Sequence, residues 1–169
     1  MNFKRLLNKI SIITGAGNGI GKSVAELLAT EGSCVVISDI DLEKAKKVKE
    51  EIISNDIQIG KMVEAVLSKF GTVDILVNNA GILYPTKIED ITEKEWDMVM
   101  DINLKGTFLC SKAVIPVMKK NKWGRIINVS STADKTVSTI GGVSYTASKS
   151  GALGLTRAMA KELAQYNII

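Results

Sequence analysis

With 169 residues, the chain has room for one domain that buries roughly two thirds of its unfolded surface. Its net charge of +4 is spread over many lysines without a long basic block, so nucleic acid is not implied. The absence of any histidine removes Ser-His-Asp hydrolysis, histidine general-base chemistry and histidine-ligated metal sites together, and no other metal site is expected. No apolar run approaches the ~20 residues of a membrane span and no secretory leader is recognisable, so a soluble, cytoplasmic protein with no membrane partner is expected.

The first element is a β-branched run, Ile10, Ile12 and Ile13, of the kind a buried parallel strand needs; it stops at Thr14-Gly15. Gly15, Gly17, Gly19 and Gly21 follow, and then the period changes. Ile20, Val24, Leu27 and Leu28 fall on one helical face, which predicts a helix starting among the glycines. Glycines open backbone angles closed to other residues and leave no side chain between the main chain and a ligand. A helix start so exposed carries N–H groups without partners and a partial positive charge, which suits a phosphate or pyrophosphate. The spacing is T-G-x-x-x-G-x-G rather than the commoner G-x-G-x-x-G.

A second buried strand, Cys34 to Ser38, ends on Asp39, eighteen residues after Gly21. An acid at about this place in a dinucleotide-binding unit accepts hydrogen bonds from the adenosine ribose, although an aspartate at a strand end also serves to cap the next helix. A 2′-phosphate beside Asp39 would be repelled, and position 18 is Asn without positive charge, so the pattern points to NAD(H) rather than NADP(H). Cys34 and Cys110 read as core thiols rather than a disulfide.

Leu42, Ala45, Val48 and Ile52 make the next helical face, and Val63, Val66, Leu67 and Phe70 the one after it. Between them Ile57-Gln58-Ile59 is too short for an ordinary third strand. Val73 to Val77 is another buried strand, followed by Asn78-Asn79-Ala80-Gly81 at the end where such sheets bind ligands. Thr92 with Glu95 reads as a capping box opening one long helix through about Asn121, with Asn103 inside it. Arg125 to Val129 is the next strand and runs into Ser130-Ser131-Thr132; a helix from about Ser144 to Gln165 carries Tyr145 and Lys149 one turn apart.

The TGAGNGIG turn, NNAG, Asn103, the NVSS strand end and YTASK, all in order, resemble the short-chain dehydrogenase/reductases, specifically their compact, non-extended branch. The resemblance covers nearly the whole chain. It implies an α/β fold, a doubly wound parallel Rossmann-like sheet, in a single dinucleotide-binding and catalytic domain over 1–169. It implies that Gly15, Gly19 and Gly21, with Asn18 and Ile20 between them, hold the pyrophosphate of NAD, that Asp39 holds the adenosine ribose, and that Asn79, Ala80 and Gly81 form the wall beside it. Tyr145 would be the general acid/base, and Lys149 would favour its phenolate and hold the nicotinamide ribose. Ser131 would bind the substrate oxygen, and Asn103 would steady a water in the proton relay. A free tyrosine titrates near ~10, so a neighbouring cation is what would make it useful near neutrality. The activity implied is hydride transfer between NAD(H) and a secondary alcohol or ketone, with 3-oxoacyl reductases and polyol or sugar dehydrogenases as the nearest substrate-level resemblances. A dinucleotide-binding sensor or scaffold without turnover is the alternative.

The chain departs from the family pattern in three places. Ser131 stands fourteen residues before Tyr145 where the family has thirteen, the distance at which Thr132 sits; the NVSS strand end favours Ser131, with one residue inserted in the loop. The sheet is expected to be incomplete at the third strand and after residue 169, where the substrate lobe would follow. A longer protein, with a mass nearer ~25 kDa, is therefore expected. Small apolar residues on two helices, Ala113, Val114 and Val117, and Gly151, Ala152, Gly154, Ala158 and Ala160, allow either packing on the chain's own sheet or a homo-oligomer, dimer or tetramer.

Overall fold

In the computed structural model, which describes residues 4–41 and 62–169, the apolar runs become four parallel strands. They are β1 (Ile10–Thr14), β2 (Cys34–Ser38), β3 (Ile75–Asn78) and β4 (Arg125–Asn128), in the order β2-β1-β3-β4. Ile12 lies opposite Val36 on one side and Leu76 on the other, and Leu76 opposite Ile126. The chain leaves β1 toward β2 and re-enters on the far side of β1 as β3. The carboxyl ends of β1 and β3 therefore flank the point where the winding reverses, the place at which open α/β sheets leave a crevice.

β1, β2 and β3 read as unbroken apolar runs because both faces are covered, whereas β4 is only partly buried and leaves Ile127 exposed. Ile10, Ile12, Val36 and Leu76 point to one face, where they meet Met62, Val63 and Val66 of α2 (Met62–Phe70) and Val114 and Met118 of α4 (Gly106–Asn121). Ile13, Val35, Ile37, Ile75 and Val77 point to the other, against Ala25, Val24 and Leu28 of α1 (Gly19–Thr30). Alternation along each strand thus divides one apolar run between two cores. Both cysteines are free thiols, Cys110 buried and Cys34 half-buried, and burial pushes each thiol up.

Two expectations are corrected. The buried face of α1 runs through Gly21, Val24, Ala25 and Leu28, while Ile20 and Leu27 are 67% and 57% exposed. Gly21 sets this rotation, because it is the residue against which the glycine turn packs. The long helix after Thr92 is also not continuous. It is α3 (Glu93–Met100), a π-helical turn over Asp101–Lys105, and then α4. Thr92 caps α3 by accepting from Glu95 N–H at 3.2 Å, but the reciprocal half of the box is not made; Glu95 Oε2 accepts from Thr86 Oγ1 at 3.0 Å instead.

The last helix, α5 (Gly142–Leu163), packs over the π turn, and Gly151 allows this approach, since a β-carbon there would lie 2.8 Å from Leu104. Val114 and Ala152, two of the small residues open to either packing mode, are buried within this chain. After α5, Asn167 and Ile169 exchange backbone hydrogen bonds with Gly124 and Ile126, so the chain lies parallel beside β4. The helical face from Leu42 to Ile52 and the short Ile57–Ile59 run lie outside the described residues. No helix among the described residues is long and apolar enough to cross a membrane.

Candidate active site

The crevice between β1 and β3 has two ends. At one, the glycine turn folds against its neighbours by close backbone contact. Gly15 has a positive φ of 64°, which a side chain would strain. A β-carbon on Gly21 would collide with the Gly15 carbonyl oxygen and stand 2.5 Å from Asn79 Nδ2. Asn79 spends its amide on this turn, donating to the carbonyls of Thr14 at 3.0 Å and Gly15 at 2.9 Å. Thr14 returns the bond: its Oγ1 accepts the N–H groups of Asn79 and Ala80, each at 3.1 Å. The ends of β1 and β3 are thereby stitched together.

Asp39, at the end of β2, closes the same cluster. Its Oδ2 accepts from Gly17 N–H at 2.8 Å and its Oδ1 from Asp41 N–H at 2.9 Å. The expected ribose acid is therefore also a brace of the glycine turn. No side chain caps the start of α1 at Asn18; Asn18, Gly19 and Ile20 are exposed, and a β-carbon built on Gly19 meets nothing within 4 Å. An uncapped helix start fronted by bare glycines fits an anionic diphosphate, which would take the place of the missing cap.

At the other end, Tyr145, Lys149, Asn103 and Gly81 converge. Lys149 lies 95% buried with Nζ donating to the Val129 carbonyl at 2.7 Å and standing 5.6 Å from the centre of the Tyr145 ring. Burial pushes its ammonium below the ordinary value. Gly81 is open on its outer side, and a β-carbon there would come within 3.4 Å of Asn103 Oδ1 and 3.6 Å of Lys149 Nζ. Both amide hydrogens of Asn103 are committed, Nδ2 donating to Ile82 O at 2.9 Å and to Ser148 Oγ at 3.0 Å, and Oδ1 accepts from Ile82 N–H at 2.8 Å. Its own carbonyl, in the π turn, accepts from Thr107 Oγ1 at 2.9 Å.

Ser131 continues the line of β4 in extended backbone, half-buried, two residues beyond Val129. Its Oγ accepts from Ala133 N–H at 3.2 Å and so starts a short 3₁₀ turn, while Thr132, the rival candidate, is exposed inside that turn. An open apolar groove of about 600 Å³ adjoins the first turns of α5, with Ile88, Val137, Val143 and Ala147 on its walls; neither Tyr145 nor Ser131 lines it. Sequence reasoning passed over Thr14 and Ser148. For Thr14 the available signal was a hydroxyl at a strand end, where backbone groups need partners; Ser148 offered none, since the amide it meets is 45 residues away in sequence.

A doubly wound parallel sheet with these two clusters defines a dinucleotide-binding α/β protein. The comparisons narrow this further. The family model described as short chain dehydrogenase matches residues 9–169, and the chain belongs to that family. It is 38% identical over 174 residues to the (2S)-[(R)-hydroxy(phenyl)methyl]succinyl-CoA dehydrogenase subunit BbsD of Thauera aromatica, covering 95% of this chain and 69% of that one. It is 39% identical over 177 residues to the 3-oxoacyl-[acyl-carrier-protein] reductase FabG of Thermotoga maritima, covering 97% and 72%. Among solved structures, that of gox2181 superposes with a TM-score of 0.93 at 32% identity, over 98% of this chain and 70% of that one.

Proposed function

We propose that this chain is an NAD(H)-dependent oxidoreductase that interconverts a secondary alcohol and a ketone. The observation that carries the reading is the meeting of Tyr145, Lys149, Asn103 and Gly81 at one end of a crevice whose other end is an uncapped helix start braced by Asp39. The bound nicotinamide would supply or accept the hydride. In reduction, the Tyr145 phenol gives its proton to the oxygen that becomes the alcohol; in oxidation, its phenolate takes that proton back. The Lys149 amine, 5.6 Å from the centre of the Tyr145 ring, would favour the phenolate and would hold the nicotinamide ribose. Ser131, at the end of β4, would hold the substrate oxygen. Asn103 has no amide hydrogen left for a water, so a relay water would donate to one of its oxygens.

Gly15, Gly19 and Gly21, with Asn18 and Ile20, would seat the diphosphate, and Asn79 and Ala80 the wall beside the adenosine, continued by Gly81 toward Lys149. The negative charge of Asp39 in the ribose position supports NAD(H) over a cofactor with a 2′-phosphate. Both clusters arise from one sheet, which supports binding and catalysis in one domain. The exposed Phe108 and Leu109 on α4, beside the groove lined by Met100, Leu104 and Leu155, support a homo-oligomer, to be measured by light scattering.

The relatives' names place an oxo or hydroxyl carbon on an acyl group carried by coenzyme A or acyl-carrier protein, so acetoacetyl-CoA is the first substrate to try, with polyols and sugars next. The test is oxidation of NADH and of NADPH with these ketones by the parent and by Tyr145→Phe. A Tyr145→Phe protein that turns over as fast as its parent refutes the mechanism. Binding of NADH with no turnover across the panel favours a sensor instead.

A further inference from the structure

We propose that Ser148 is a positioning residue, whose hydroxyl ties Asn103 in the π turn to the backbone of Tyr145 and so fixes the turn of α5 that carries Tyr145 and Lys149. The inference rests on the reading of Tyr145 as the proton donor. Ser148 is completely buried, one residue before Lys149. Its Oγ donates to the Tyr145 carbonyl at 2.8 Å and accepts from Asn103 Nδ2 at 3.0 Å.

The direction of this chain of bonds is fixed by what each group can still offer. A serine hydroxyl has one hydrogen, and here it goes to Tyr145 O. The amide of Asn103 has two hydrogens; one goes to Ile82 O at 2.9 Å and the other to Ser148. The Ile82 N–H returns to Asn103 Oδ1 at 2.8 Å. A buried helical serine that bonds only its own preceding turn is ordinary. Ser148 differs because its lone pair reaches a different element, and that element clasps the backbone one residue past Gly81.

The consequence lies in the carbonyl that Ser148 holds. In an α-helix the Tyr145 carbonyl is the acceptor for Lys149 N–H, so it belongs to the turn that sets the Tyr145 ring relative to the Lys149 amine. Ser148 links that turn through Asn103 to the segment lining the crevice at Gly81. Without the hydroxyl, the lysine's hold on Val129 and the helix packing are what remain to set the pair. Small displacements of reacting groups are expensive in rate, which makes such a tie worth testing.

The test compares the parent with Ser148→Ala, Ser148→Thr and Tyr145→Phe, using NADH and acetoacetyl-CoA. The expected result is a kcat at least tenfold lower for Ser148→Ala with KM for NADH within about twofold, and a displaced pH profile of kcat. Ser148→Thr, which restores a hydroxyl, returns both toward the parent. Ser148→Ala with a lower melting temperature but unchanged kcat and pH profile overturns the proposal. If Tyr145→Phe keeps the parent's turnover, the reading of Tyr145 has failed; if it loses turnover while Ser148→Ala does not, this inference alone has failed. Should Ser148→Ala not fold, Ser148→Cys, of similar size and poor donor strength, is judged by the same outcomes. If the parent does not reduce acetoacetyl-CoA, amide hydrogen exchange over residues 80–84 decides. Faster exchange in Ser148→Ala but not in Ser148→Thr supports the clasp, and equal rates refute it.

Discussion

Lys149 reaches from α5 to the end of β4, where its amine donates to the Val129 carbonyl at 2.7 Å. This bond lies two residues from Ser131, so one contact joins the helix and strand that carry the candidate chemistry. It also places a cation where water scarcely reaches, with the residue only 5% exposed.

That burial gives a stability test. The folded state holds the Lys149 proton less tightly than the unfolded chain, whose ordinary value is 10.5. Across the window between the lowered value and the ordinary one, the unfolded state binds more protons, so this site's contribution to stability rises with pH and is smallest below the window. Lys149→Met has no such dependence. The difference in melting temperature, variant minus parent, should therefore fall as pH is raised from about 7 to about 10. Each tenfold loss of proton affinity corresponds to ~1.4 kcal/mol, or roughly 3–6 °C in a domain of this size. A difference that stays flat contradicts the burial argument.

Gly21 carries a steric prediction. A β-carbon there meets the Gly15 carbonyl and the Asn79 amide, which are backbone and a committed side chain rather than the loose end of a flexible one. Gly21→Ala should destabilise by at least ~1–3 kcal/mol, the range for overpacking, seen as a lower melting temperature. Gly19→Ala meets no atom and is opposed only by its φ of 53°, so it should cost less. An equal or larger loss at Gly19 would show that contact at Gly21 is not the controlling feature.

Much of this was legible in advance because parallel strands must bury both faces. The apolar runs at Ile10, Cys34, Val73 and Arg125 located β1 to β4 to within two residues of their observed starts. The helix faces were harder. Periodicity groups Ile20 with Leu27, but the contact of Gly21 with the glycine turn rotates α1 away from that choice. The break in the long helix was invisible for a related reason: the π turn is stabilised by the Asn103 amide bonding Ile82 and Ser148, partners distant in sequence. Ser148 itself looks like filler beside Tyr145 and Lys149 until Asn103 is seen to need a partner.

Asp39 braces the glycine turn and, in the proposed reading, also selects the cofactor, and the two roles are separable. Asp39→Asn keeps one oxygen for the Gly17 N–H but loses the charge and the acceptor for the Asp41 N–H, whereas Asp39→Ala loses all three. The Asn variant should keep a melting temperature near the parent's and shift the ratio of NADH to NADPH affinity toward NADPH by roughly tenfold, about 1.4 kcal/mol. The Ala variant should also melt earlier and bind both nucleotides more weakly, because the glycine turn loses its brace. Fluorescence titration of each nucleotide measures this, and an unchanged ratio in Asp39→Asn would remove the carboxylate from cofactor choice.

Thr14 offers the clearest separation of a hydroxyl from its hydrocarbon. Valine is nearly the same shape and suits the strand, but it cannot accept the two N–H groups that Thr14 Oγ1 takes from Asn79 and Ala80. Thr14 is 4% exposed, so no water readily replaces the lost oxygen. Leaving buried donors without an acceptor costs ~1–3 kcal/mol each, against a small gain from the apolar methyl. Thr14→Val should therefore lower the melting temperature by several degrees, at roughly 2–4 °C per kcal/mol, while Thr14→Ser, which keeps the oxygen, should lose less. Since Asn79 also holds the Thr14 and Gly15 carbonyls, loosening its backbone should weaken NADH binding in the Val variant more than in the Ser variant. If both variants bind and melt alike, the Thr14 hydroxyl has no special part in joining β1 to β3.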